Sequence, residues 1–98
     1  MQDNIPLNQN VKQKLEELRN AEPTIRIGKN GIGHSQIEEI KLQLKAREFV
    51  KIKLLKSFLS AYEPGKQEAA IELAEKTNSQ VLLVHGFVIV LYRSKFTK

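Results

Sequence analysis

The chain contains no cysteine. That excludes a disulfide framework and a thiolate metal centre, and it fits a reducing compartment. Histidine and aspartate are scarce: His34, His85 and Asp3 are the full complement. Neither histidine opens an H-E-x-x-H pattern, and no paired acid and base suggests catalysis. Long apolar runs are also missing. Val81 to Tyr92 comes nearest, but His85 and Gly86 interrupt it and it is too short to span a bilayer. No helix pairs a basic face with large aromatics, as a membrane-surface helix would. The opening Met1-Gln-Asp-Asn lacks a basic stretch followed by an apolar one, so a cytoplasmic location is expected. These absences predict no enzyme, no metal, no cofactor, no small-molecule substrate and no membrane partner. They leave oligomeric state open. At 98 residues there is room for one core and not two.

What the chain does have is positive charge. Sixteen Lys and Arg face eleven Asp and Glu, a net of +5. The excess is not spread evenly. Residues 23–58 hold Arg26, Lys29, Lys41, Lys45, Arg47, Lys51, Lys53 and Lys56 against Glu38, Glu39 and Glu48. The tail adds Arg93, Lys95 and Lys98, whereas Glu68, Glu72 and Glu75 make the segment between them acidic. A merely solvated surface would intersperse the signs. A polarised one suits a polyanion such as nucleic acid.

Hydrophobic spacing supplies the elements. Asn10 and Gln13 read as a capping box ahead of Val11, Leu15 and Leu18, which repeat as one helical face. Pro23 ends that helix, and Thr24 to Ile27 alternates as a short strand. After a glycine loop, Ser35 and Glu38 read as a second capping box. Ile37, Ile40 and Leu44 then mark a helix to about Ala46. Phe49 to Leu55 is a strand with Val50, Ile52 and Leu54 on one face and Lys51 and Lys53 on the other. Residues 57–63 read as a loop pinned by Phe58, Leu59 and Tyr62. Lys66 to Thr77 is a third helix, which Asn78 closes in a left-handed conformation. Val81–Val84 and Val88–Tyr92 form a hairpin around His85-Gly86. The predicted class is α/β, a compact single domain in the order α-β-α-β-α-β-β. Its parts are a loose stretch 1–9, a domain 10–93 and a short basic tail 94–98. The hairpin strands are apolar on both faces, so the N-terminal helix is expected to cover the second side.

The glycine loop, Gly28-Lys29-Asn30-Gly31-Ile32-Gly33, lies between a strand and a helix. Its spacing is neither that of a Walker loop nor that of a dinucleotide fingerprint. It brings backbone and one lysine to the mouth of a helix N-terminus, where a phosphate is favoured. A strand–GxxG–helix arrangement is also how KH modules clamp a nucleic-acid backbone. As a bare motif it equally describes a tight turn that needs glycine.

Three segments together resemble the CRM domain family, and within it the stand-alone YhbY type. They are Gly28-Lys-Asn-Gly31, Glu48-Phe-Val-Lys-Ile-Lys53 and Gly86-Phe-Val-Ile-Val-Leu-Tyr-Arg93. The resemblance runs from about Val11 to Arg93. Asn78 stands where many members have glycine, and His85 stands in place of an aliphatic residue. The resemblance implies a mixed four-stranded sheet packed by helices, similar to the C-terminal domain of translation initiation factor three. It implies RNA binding, with ribosomal RNA of large-subunit precursors as partner during ribosome assembly. Gly28, Lys29, Asn30 and Gly31 would be the loop contact. The basic residues Arg26, Lys41, Lys45, Arg47, Lys51, Lys53 and Lys56 would supply approach, extended by Arg93 and Lys95. The competing expectation is a module that docks on a ribosomal or other ribonucleoprotein protein and touches RNA little.

Overall fold

The structure is a computed structural model that describes residues 9–93. Its elements are α1 (Gln9–Arg19), β1 (Ile25–Ile27), α2 (His34–Arg47), β2 (Phe49–Leu54), α3 (Lys56–Ala61), α4 (Lys66–Thr77), β3 (Gln80–His85) and β4 (Val88–Tyr92). The order is the expected one with one short helix, α3, added where a loop was read. Phe58 explains the addition: the turn of helix drives its ring into the core at 2% exposure. Of the expected loose stretch 1–9, residues 1–8 lie outside the described residues and Gln9 opens α1; the tail 94–98 also lies outside them.

The four strands form one mixed sheet in the order β1-β2-β4-β3. β1 runs parallel to β2, with Ile25 opposite Ile52 and Ile27 opposite Leu54. β2 runs antiparallel to β4, with Lys51 opposite Val90 and Lys53 opposite Val88. β3 and β4 close the hairpin, and Leu82 is an extra residue between the Val81–Leu91 and Leu83–Val90 pairs. The turn itself is Gly86-Phe87, one residue later than the sequence suggested. Gly86 carries the positive φ of 59° that the first position of a II′ turn requires.

One face of the sheet buries Ile25, Ile27, Val50, Ile52, Leu54, Ile89 and Leu91. Against it pack Ile40 and Leu44 of α2, and Ala69, Ala70, Leu73 and Ala74 of α4. Small residues on α4 let that helix lie close to its neighbours. The other face carries Phe49, Lys51, Val90 and Tyr92, and α1 lies across it as expected. Leu15 and Leu18 of α1, with Leu83, Val88 and Val90 of the sheet, line an apolar cleft of about 100 Å³. Tyr92 is buried on this side, its ring centroid 4.9 Å from that of Phe49.

The helix boundaries follow from their caps. α1 already includes Gln9 and Asn10, so Asn10 is inside the helix and not its cap. The N-cap of α2 is two residues earlier than Ser35: it is Gly33, and the Gln36 side chain returns to accept from the Gly33 N–H at 3.1 Å. Counted from Gly33, Gln36 stands at the third helical position, where that return bond is made. Glu48 ends α2 in the left-handed region, and Asn78 ends α4 in the same way, as expected.

Candidate nucleic-acid interface

The parallel strands β1 and β2 end together, and the loop leaves from that end. The Gly31 N–H donates to the Gly28 carbonyl at 2.9 Å and closes a four-residue turn. Lys29 and Asn30 occupy its two corners and are exposed. Gly31 has φ 77°, a conformation that costs an L side chain about 1–2 kcal/mol. Gly28 is constrained differently: a Cβ there would stand 3.3 Å from Leu55 and 3.4 Å from Ser57. The Leu55 N–H donates to the Ile27 carbonyl at 2.9 Å, which holds the start of α3 against the turn. Lys56, the first residue of α3, is thereby brought beside the loop and is exposed.

Gly33 as N-cap has a chemical consequence. The usual caps supply a side-chain oxygen to the first amides of the helix. Glycine supplies none, so the amides of His34 and Ser35 at the mouth of α2 have no intrahelical acceptor. Together with the helix dipole, they form an arrangement that favours an anion.

A second cationic group lies on the α1 side of the sheet, at the margin of the strip that α1 covers. Arg26 is the register partner of Lys53, Lys53 of Val88, and Val88 of His85. This cross-strand row places Arg26, Lys53 and His85 at the surface. Arg26 faces Glu22 at 3.6 Å, an exposed pair that a phosphate can displace. Among the described residues no acid pairs with Lys29, Lys53 or Lys56.

Lys41 and Lys45 share one side of α2, one turn apart. Lys41 is 3.6 Å from Glu38, again as an exposed pair. Arg47 is two residues beyond Lys45 and so points to a different side of the helix. It also sits at the far end of α2, about 20 Å from the loop by helical rise. Arg93 lies at that far end too. Its N–H donates to the Glu48 carbonyl at 2.9 Å, and its guanidinium donates to the Thr77 carbonyl at 3.3 Å, capping α4. The loop group and the Arg47–Arg93 group are therefore at opposite ends of the domain. Lys95 lies outside the described residues.

Lys51 corrects the expectation. Strand alternation groups it with Lys53 as a surface cation, but it is 6% exposed. Its ammonium donates to the carbonyls of Leu18 at 2.5 Å, Arg19 at 3.2 Å and Ala21 at 2.7 Å. Strand alternation put it on the right face, but α1 covers that face at this point. All three of its donors are taken by carbonyls at the end of α1 and just past it, so Lys51 holds α1 to the sheet.

Two residues at the loop end were missed. Lys66 is the first residue of α4, where the helix dipole disfavours a cation. It donates to the Gly86 carbonyl at 2.9 Å. Phe87, at the hairpin turn, is 43% exposed. The signal in the sequence was a bulky apolar residue directly after a turn glycine, outside the alternation of the strand.

Among the described residues there is no group of three or more His, Asp or Glu placed to hold a metal ion. None of their helices is long and apolar enough to cross a membrane.

Comparison with known proteins gives a consistent result. A model of the CRS1/YhbY (CRM) domain matches residues 7–93. The chain is 39% identical over 74 residues to a probable RNA-binding protein of Methanocaldococcus jannaschii, covering 76% of this chain and 53% of that one. It therefore spans about half the length of that relative. It is 32% identical over 71 residues to the probable RNA-binding protein YqeI of Bacillus subtilis, covering 72% and 70% of the two chains. The solution structure of a hypothetical Staphylococcus aureus protein, for which RNA binding is conjectured, superposes with a TM-score of 0.65. That pair is 35% identical, over 90% of this chain and 88% of the other. With the sheet order, the Gly28–Gly31 turn and the closing strand all in place, the chain belongs to the CRS1/YhbY (CRM) domain family.

Proposed function

We propose that the protein binds RNA without catalysis, and that the Gly28–Gly31 turn is its principal phosphate contact. The observation that carries this reading is the coincidence at one end of the sheet. An exposed turn tipped by Lys29, the mouth of α2 with no side-chain oxygen on its first amides, and Lys56, which pairs with no acid among the described residues, all stand there. The RNA-binding names of the relatives support the same partner. Arg26 and Lys53 extend the cationic surface on one side and Lys41 and Lys45 on another. Backbone amides and lysines read phosphate and shape, so structured RNA is the fitting substrate. Ribosomal RNA of large-subunit precursors is the partner we favour within that class.

The test is RNA recovered by crosslinking from cells at low salt and sequenced. Enrichment of large-subunit precursor at discrete sites supports the proposal. No enrichment over a variant with a scrambled Gly28–Gly31 loop overturns it. Leu42 and Ile71, exposed at 63% and 53% on α2 and α4, favour a second reading in which the helical side docks on a protein. Salt separates the two. Phosphate contacts weaken binding with a slope of about −0.7 to −0.9 each, and an apolar contact does not.

A further inference from the structure

Phosphate contacts leave one feature at the loop end unused. Phe87 is exposed, yet its backbone is tightly held. The Phe87 carbonyl accepts from the Leu54 N–H at 2.7 Å, and the neighbouring Gly86 carbonyl accepts from Lys66 Nζ at 2.9 Å. The turn is thus pinned to β2 on one side and to α4 on the other, and the ring stands on a rigid support. A hairpin tip would bury or dispense with such a side chain if it served the core alone.

The surroundings say what kind of partner fits the ring. Lys53 lies opposite Val88, the next residue along, and Lys56 is two residues past Leu54. Ile27, from which the glycine turn departs, is two strand spacings away, roughly 10 Å. A flat apolar ring on a turn that Lys66 holds, with Lys53 and Lys56 on the adjoining backbone, suits a ligand with a π face and flanking negative charge. Unpaired nucleotides have both. An apolar protein partner would leave these lysines beside it without counter-charge.

We propose that Phe87 is a stacking platform for an unpaired base of the bound RNA, adjacent to the phosphate held at the Gly28–Gly31 turn. This rests on the RNA-interface reading above and adds a substrate class to it: structured RNA with a bulged or looped-out base. The chain would then distinguish such an RNA from an uninterrupted duplex.

The experiment compares two short RNA hairpins, one fully paired and one carrying a single bulged purine, titrated at low salt. Wild type is expected to prefer the bulged hairpin. Phe87→Ala is expected to bind the bulged hairpin about tenfold more weakly, the equivalent of ~1.4 kcal/mol, and the paired hairpin as wild type does. Phe87→Tyr should keep the preference. Phe87→Trp supplies a fluorophore at the same point, and its emission should be quenched by the bulged hairpin alone. Equal binding of the bulged hairpin by wild type and a folded Phe87→Ala overturns the stacking proposal and leaves the phosphate contact standing. Failure of wild type to bind either hairpin overturns both.

Discussion

The Lys51 ammonium donates to the Leu18 carbonyl across 33 residues of chain, and this bond fastens α1 to the sheet. The carbonyls at a helix C-terminus lack intrahelical donors and carry the negative end of the dipole. A buried lysine answers both needs. Two residues along the same strand, Lys53 shares the face but lies beyond the helix and is exposed. The two lysines should therefore separate stability from binding. Lys51→Met is expected to cost about 2 kcal/mol in denaturant unfolding, the scale of charge-assisted hydrogen bonds, with RNA affinity of the folded protein kept. Lys53→Met should change stability by less than about 0.5 kcal/mol and weaken RNA binding. The reverse pattern would show that α1 does not depend on Lys51.

Lys29→Glu places a negative charge at the tip of the proposed phosphate contact. It should reduce RNA affinity far more than Lys76→Glu, since Lys76 pairs with Glu72 at 3.3 Å on α4. A filter-binding or fluorescence titration of both variants at one salt concentration measures the difference. Equal losses would mean that net charge alone governs binding.

Each phosphate contact also leaves a mark in the salt dependence. Replacing Lys29 or Lys56 by Gln should lower the slope of log affinity against log salt by about 1 each. Replacing Lys51 by Gln should leave the slope unchanged, because its donors face carbonyls at and just past the end of α1.

The Gly31 conformation can be tested apart from binding. Gly31→Ala meets no atom within 4 Å, so any cost comes from its φ of 77°. A loss of about 1 kcal/mol in thermal or denaturant unfolding is expected. A Gly28→Ala change has a normal backbone but meets Leu55 and Ser57, and should displace α3 from the turn.

Tyr62 gives a pH signature. Burial and its hydrogen bond to Glu72 at 2.7 Å push the phenol up to about 12 from 10.0. The unfolded chain loses this proton first as pH rises, so stability from the neutral phenol is full below pH 10 and is lost on the way to pH 12. In Tyr62→Phe the dependence of stability on pH in that window should be shallower by about one proton. Unfolding curves across it decide the matter.

Most of the architecture was legible because the strand residues alternate and the helix stripes recur at the right spacing. Ile37, Ile40 and Leu44 identified α2, and Val50, Ile52 and Leu54 identified the core face of β2. The failures have physical causes. α3 is six residues long, too short for a period to emerge, and tertiary burial of Phe58 decides it. The Ser35 cap was misread because glycine at position 33 can cap without a side chain. Lys51 is the instructive case, because the sequence carries both halves of its placement. The strand pattern gave its face, and the two-sided apolar hairpin gave a helix over that face. What could not be read was how far along the strand the helix reaches, which separates Lys51 from Lys53. Arg47 looks continuous with the central basic block in sequence, but the length of α2 carries it to the other end, where Arg93 meets Glu48 at the end of β4.

The extra residue at Leu82 bears on a different property, the behaviour of the protein at high concentration. β3 is an edge strand of the sheet, and a straight apolar edge invites pairing with another chain. The bulge breaks the even row of donors and acceptors along it. At the other margin β1 is three residues long, follows Pro23 and carries Arg26. Among the described residues neither border of the sheet offers a regular template for a fifth strand, which disfavours edge-to-edge growth into fibrils.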